Sequence, residues 1–219
     1  IIAKPNNNTN GKKIEKIKVG EYDIKKLYNY LKDKDLLLIE EVIKQHDYLN
    51  KLYNKSINRV TVITLLYNDI TYIISMNLNL GNNSIVDSLK RGGMTNKIDI
   101  ETGTSLHPFC DRGLNNYYFH PITKEKINNI KLPYINEVKS LVKDLSKIIK
   151  TVRYVSWDIA ITNDGPILLG ASPLPNIYQF FIHNEDNKGI LPLINEILNK
   201  ESSVDSIEIK KDDKLSISN

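Results

Sequence analysis

The residues best suited to chemistry lie in one stretch, 153–176, RYVSWDIAITNDGPILLGASPLPN. It reads as two strands joined at Asn163-Asp164-Gly165, with Asp-Gly the punctuation of a hairpin. If Thr162 faces Pro166 across a three-residue loop, Ala160 faces Leu168 and Asp158 faces Gly170. Side chains alternate faces along a strand, so Asp158, Gly170 and Ser172 share one face. Directly opposed positions stand about 5 Å apart. A carboxylate at Asp158 therefore has a neighbouring slot for a second metal-binding residue, and this chain has a glycine in it. A buried carboxylate without a partner or a metal is costly, which makes Asp158 the strongest single candidate.

Composition limits what such a site can serve. The chain has 219 residues, 41% hydrophobic and 26% charged, enough to bury a core in one or two small globular domains. Its net charge of +4 is small and its lysines are dispersed, which argues against nucleic acid. The single cysteine, Cys110, excludes an intramolecular disulfide and suits a reducing, cytoplasmic compartment. No apolar run approaches the roughly 20 residues that span a bilayer. The chain begins at Ile1 without methionine, and IIAKP reads as a strand in progress, so a preceding segment or a partner is expected.

The elements that must position Asp158 follow in order. Residues 1–4 form a short strand ending Lys4-Pro5, followed by the polar loop NNNTNGKK and the alternating IEKIKV. Strand, loop, strand is the arrangement of a flap over phosphates, and equally of a surface hairpin. It is not a Walker motif, because that spacing is absent. Tyr22 to Lys32 has helical spacing. Asp35 to Ile43, DLLLIEEVI, predicts a buried strand emerging at a cleft with Glu40 and Glu41 at its end. A short helix over Asp47 to Tyr53 precedes a strong hairpin signal, RVTVITLL and ITYIISMNLN around Asn68-Asp69. MTNKIDIETG gives a further strand, and NYYFHPITKEKI a loop-rich hairpin bent at His120-Pro121. Pro133 opens an amphipathic helix reaching about Lys150, with Ile148 and Ile149 on its apolar stripe. Residues 189–200 read as a short helix, and 201–219 as a mobile tail.

Together these motifs resemble the ATP-grasp superfamily, and more narrowly its sugar-transfer-associated members. The resemblance rests on LIEEVIKQHDYLNKLYNKSIN, GGMTNKIDIETG, HPITKEKI with KLPYINEV, and above all YVSWDIAITNDGPILL, and it covers most of residues 1–172. It implies an α+β fold of antiparallel sheets with packed helices, the central and C-terminal subdomains present and the N-terminal one missing. Residues 1–45 would form the small subdomain and 46–200 the large one. It implies that Lys4 contacts nucleotide phosphates, with Gly11 in a loop at 6–13 above them. Glu40, Glu41, Val42 and Ile43 would hold adenine, with Gln45 and His46 near the ribose or phosphates. Asp158 would hold magnesium, with Ser172 a weak second ligand.

Three departures bear on activity. The family's second hairpin strand ends in Glu-x-Asn, and the slot here reads Gly170-Ala171-Ser172. An arginine is usual two residues after Arg59, where this chain has Thr61. A shift of two keeps side-chain parity, so Arg59 is expected to reach the same face and act as the catalytic arginine. The amino-terminal domain is the third departure. The resemblance implies an ATP- and magnesium-dependent carboxylate–amine ligase of cell-surface polysaccharide modification. ATP would phosphorylate a carboxylate, and an amine or sugar-linked acceptor would attack the acylphosphate. The alternative is a degenerate, non-catalytic scaffold that binds nucleotide or a partner. The other candidates read more simply. His46 competes with a structural role, His120 reads as a turn residue, Cys110 as a free thiol and Trp157 as core.

Overall fold

A computed structural model describes residues 1–6, 13–176 and 189–199. Gly11 and the 201–219 tail therefore lie outside the described residues. Two antiparallel sheets make up the fold.

The smaller sheet has the order β2-β1-β3, with β1 at Ile2–Lys4, β2 at Glu15–Lys16 and β3 at Leu38–Glu40. Helix α1 (Ile24–Asp33) connects β2 to β3, and the Asp23 side chain caps it by accepting from the Lys26 N–H at 3.1 Å. Its buried Leu27 and Leu31 pack with Ala3, Ile17 and Leu36. The run Asp35 to Ile43 departs from the expected buried strand. Only Leu36 is buried, while Leu37, just before the three-residue edge strand, and Ile39, within it, are 60% and 52% exposed. Apolar content alone does not bury a strand; a covering element must exist on both faces.

The larger sheet has the order β10-β9-β4-β5-β6-β7-β8. Its central strands are β4 (Val60–Tyr67), β5 (Ile70–Leu80) and β9 (Tyr154–Thr162), with β10 (Gly165–Ser172) at one edge. The other side is built from β6 (Met94–Lys97), β7 (Phe109–Asp111) and β8 (Asn116–Tyr117). Asn68 and Asp69 both take positive φ (47° and 60°), the geometry of a two-residue turn whose twist matches the strands it joins. One face is apolar: Val60, Val62, Met76, Leu78, Trp157 and Ile159 pack with α3 (Ile135–Ser146) through Val138 and Val142. This helix is shorter than the spacing predicts. Pro133 precedes it, and Ile148 and Ile149 lie beyond it, largely exposed. Residues 191–199 form α4, whose buried Ile197 packs with Ile63 and Ile74. Helix α2 (Asp47–Leu52) sits between the sheets in sequence. Among the described residues no helix is long and apolar enough to cross a membrane.

Candidate functional site

The β9–β10 hairpin pairs Gly170 with Asp158, but by a different route from the one the turn spacing predicts. Thr162 faces Gly165 across a two-residue turn, so the strands start one residue out of the expected register. A bulge between Leu168 and Gly170 restores it. On its other side Asp158 faces Thr61 of β4, Thr61 faces Asn77 of β5, and Asn77 faces Lys97 of β6. Gly170, Asp158, Thr61, Asn77 and Lys97 therefore form one row across the sheet, on the face opposite the apolar core.

Hydrogen bonds fix the centre of that row. The Thr61 hydroxyl donates to Asp158 Oδ1 at 2.9 Å, and Asn79 Nδ2 donates to Thr61 Oγ1 at 2.9 Å. Arg59 reaches the same face as Thr61, as side-chain parity predicts, and its Nη1 donates to Asp158 Oδ2 at 2.5 Å. The Arg59 Nε lies 3.1 Å from Oδ2 of Asp87, which also accepts from the Arg59 backbone N–H at 3.2 Å. The guanidinium is thus held between two carboxylates, of which Asp87 is 8% exposed.

Burial, only partly offset by Arg59, pushes the Asp87 carboxyl up from an ordinary 3.8 to about 6. The folded chain keeps a proton there that the unfolded chain has already lost. The resulting stabilisation is complete below about pH 4 and is lost as pH rises through 6, an effect on the order of 2–3 kcal/mol. Urea midpoints for the native chain and Asp87→Asn near pH 4.5 and pH 7.5 check this. Relative to the variant, the native chain should lose stability toward the higher pH; a relative gain would contradict it.

Asp87 escapes sequence reading because an Asp in the loop NNSIVDS looks like an ordinary turn residue. A signal lies downstream at Gly93, where an added Cβ would come within 2.5 Å of the Asp87 carbonyl oxygen. Only glycine lets the two backbones approach so closely.

The residues around Asp158 do not make a magnesium site. Each Asp158 oxygen already accepts one hydrogen bond, from Arg59 or from Thr61, and Gly170 supplies no donor. The Ser172 hydroxyl donates to the Leu174 carbonyl at 3.1 Å and accepts from the Leu174 N–H at 3.2 Å. Among the described residues no three His, Cys, Asp or Glu gather to hold a metal.

A cavity of about 270 Å³ opens between the small sheet and the segments around α2. Ile2, Ile14 and Lys16 line it on the side of the small sheet, Val42, Ile43 and Lys44 from the connecting segment, and Lys55, Ile57 and Ile85 from the loops before β4 and after β5. Val42 and Ile43 are thus among the lining residues. Lys4, Glu40, Glu41 and His46 are not among its lining residues. Lys4 is instead paired with Glu40 at 2.7 Å. The His46 Nδ1 caps α2, accepting from the Tyr48 N–H at 3.1 Å, and its ring meets Tyr134 edge-on at 6.0 Å. Gln45 is 5% exposed and donates to the Tyr53 and Ser56 carbonyls, both at 2.9 Å, so it holds the cavity wall. A larger depression of about 390 Å³ lies between Lys13, Glu15 and Asp33–Leu36. Its Glu15 is engaged by Tyr30 and Lys34, and none of the residues around Asp158 lines it.

The hairpin also positions the connecting segment. Gln45 bridges to Thr162, the His46 N–H donates to the Ile161 carbonyl at 2.7 Å, and the Asp47 N–H donates to Asn163 Oδ1 at 3.1 Å. Asp158 lies three residues back along β9, roughly 10 Å at about 3.3 Å per residue.

His120 is a turn residue with added duties. It is fully buried, accepts from the Ile122 and Thr123 N–H groups at 3.2 Å, contacts the Gly81 carbonyl at 2.8 Å and stacks on Tyr53 at 5.0 Å. Trp157 packs in the core, and Cys110 is free and buried.

A small and a large antiparallel sheet, with Asp158 on a strand of the larger one, make up the scaffold. The family model for sugar-transfer associated ATP-grasp matches residues 2–198, and the chain belongs to that family, which implies ATP binding and usually magnesium. No curated protein and no solved structure matches the chain.

Proposed function

We propose that this chain is a nucleotide-binding ATP-grasp module of a sugar-transfer system in which phosphoryl transfer is degenerate. In this reading residues 1–45 and 46–200 are two lobes, and ATP lies in the cleft that Val42 and Ile43 line. The observation that carries it is the pairing of Asp158 with Arg59 and Thr61 while its facing slot holds Gly170. A phosphoryl-transferring site needs cations to offset charge on the transferring group. Losing a metal ligand costs tenfold in rate for each 1.36 kcal/mol of transition-state stabilisation.

The second reading is an active carboxylate–amine ligase acting on cell-surface polysaccharide, and the retained Asp158 favours it. Calorimetric titration with ATP, followed by an ATP-turnover assay with carboxylate and amine acceptors, separates the two. Binding without turnover supports the module. Rapid turnover by the unaltered chain establishes the ligase, and no binding removes both.

A further inference from the structure

Arg59 stands where a cation is needed. Its side chain is 31% exposed, and while Nε and Nη1 face Asp87 and Asp158, its Nη2 bonds to no described residue. The cluster adjoins the cavity in sequence. Ile57 and Ile85 line it, and each lies two residues before a member of the cluster, Arg59 and Asp87, in non-strand segments. The same cavity carries Lys16, Lys44 and Lys55 against a single carboxylate, Asp47. None of these lysines forms an ion pair with another described residue. Meanwhile the carboxylate that would hold a divalent ion is already paired with a cation, and its facing slot is open, with an added Cβ at Gly170 meeting nothing within 4 Å.

We propose that Arg59 takes the cation's place on the Asp158 carboxylate, so that the cleft binds the polyphosphate of a nucleotide through fixed protein cations and without a divalent ion. This inference rests on the nucleotide-binding reading above. A guanidinium serves the purpose well. It stays charged at every working pH, and its planar fork can hold two carboxylates and still present a donor to phosphate oxygens. Asp87 is the positioning group that keeps the fork in the plane of the site. Arg59 and the lysines then supply the positive charge that magnesium would otherwise bring to the phosphates.

Mg²⁺ favours bound polyphosphate when the protein holds the ion, and competes for ATP in solution when it does not. Calorimetric titration of the full chain with ATP, once with excess EDTA and once with magnesium, tests the difference. The expected affinity in EDTA is within threefold of that in magnesium, or tighter. Arg59→Gln, shown to be folded by circular dichroism, should weaken the EDTA affinity tenfold or more, and Lys55→Ala provides a surface variant with a smaller loss in the same direction. A parallel Mn²⁺ titration without nucleotide should give no bound ion. Binding in magnesium but not in EDTA would overturn the inference and leave the nucleotide reading standing. Stoichiometric Mn²⁺ binding would overturn the inference likewise, and absence of ATP binding in both buffers would overturn both.

Discussion

Arg59→Gln is expected to lower the stability of the chain by roughly 3 kcal/mol at neutral pH, the usual cost of removing one partner from a buried ion pair. Glutamine can still reach toward Asp158, but it brings no charge. Asp87, 8% exposed, would then stand ionised without a cation in a place from which water is largely excluded. The chain's escape is to protonate Asp87, so its carboxyl should titrate above the value of about 6 that it has beside Arg59. The loss should therefore shrink below pH 5, where the acid is neutral in the native chain and the variant alike. Urea unfolding of both proteins at about pH 5 and pH 7.5 reads this directly. A loss under about 0.5 kcal/mol at both pH values, the ordinary range for a surface change, would show that the Asp87–Arg59–Asp158 cluster holds nothing together.

Gly170→Glu/Ser172→Asn is expected to make ATP binding depend on a divalent ion. An added Cβ at Gly170 has open space, and Ser172 gives up only its local bonds to Leu174, so the fold should tolerate both changes within about 0.5 kcal/mol. A glutamate facing Asp158 brings a third carboxylate to a cluster with one guanidinium, an excess of charge that a divalent ion can neutralise. Magnesium should then tighten ATP binding by the double variant about tenfold, which is roughly 1.4 kcal/mol. Indifference to magnesium in the double variant would contradict this account of the slot.

Much of the scaffold was legible because its signals are local. The Asn68-Asp69 turn joins two alternating runs, and the structure makes it a two-residue hairpin with both residues at positive φ. The Asp158–Gly170 pairing was legible too, although a shorter turn and a bulge, each unseen in the spacing, cancel one another. What was not legible depends on contacts distant in sequence. Leu37 and Ile39 look like core residues, yet nothing covers them enough to bury them. His46 is an uncommon helix cap, and nothing in its neighbours announces that its ring will accept from the Tyr48 N–H. Asp87 is 28 residues from Arg59 and reaches it through the antiparallel β4–β5 pairing and the loop that follows Leu80. Gln45 reads as a ligand contact from its place beside the cleft, but its amide is spent on the Tyr53 and Ser56 carbonyls. Polar residues that serve the backbone and polar residues that serve a ligand have the same composition. Only their partners distinguish them.

The central claim is that a nucleotide occupies the cavity that Val42 and Ile43 line. Photolabelling of the full chain with an azido-adenine analogue of ATP, followed by peptide mapping, tests it most directly. Label should fall on the segment from Val42 to Ile57, whose residues line the cavity, and unlabelled ATP should compete it away. Label confined to other segments, or label that ATP does not displace, would contradict the claim.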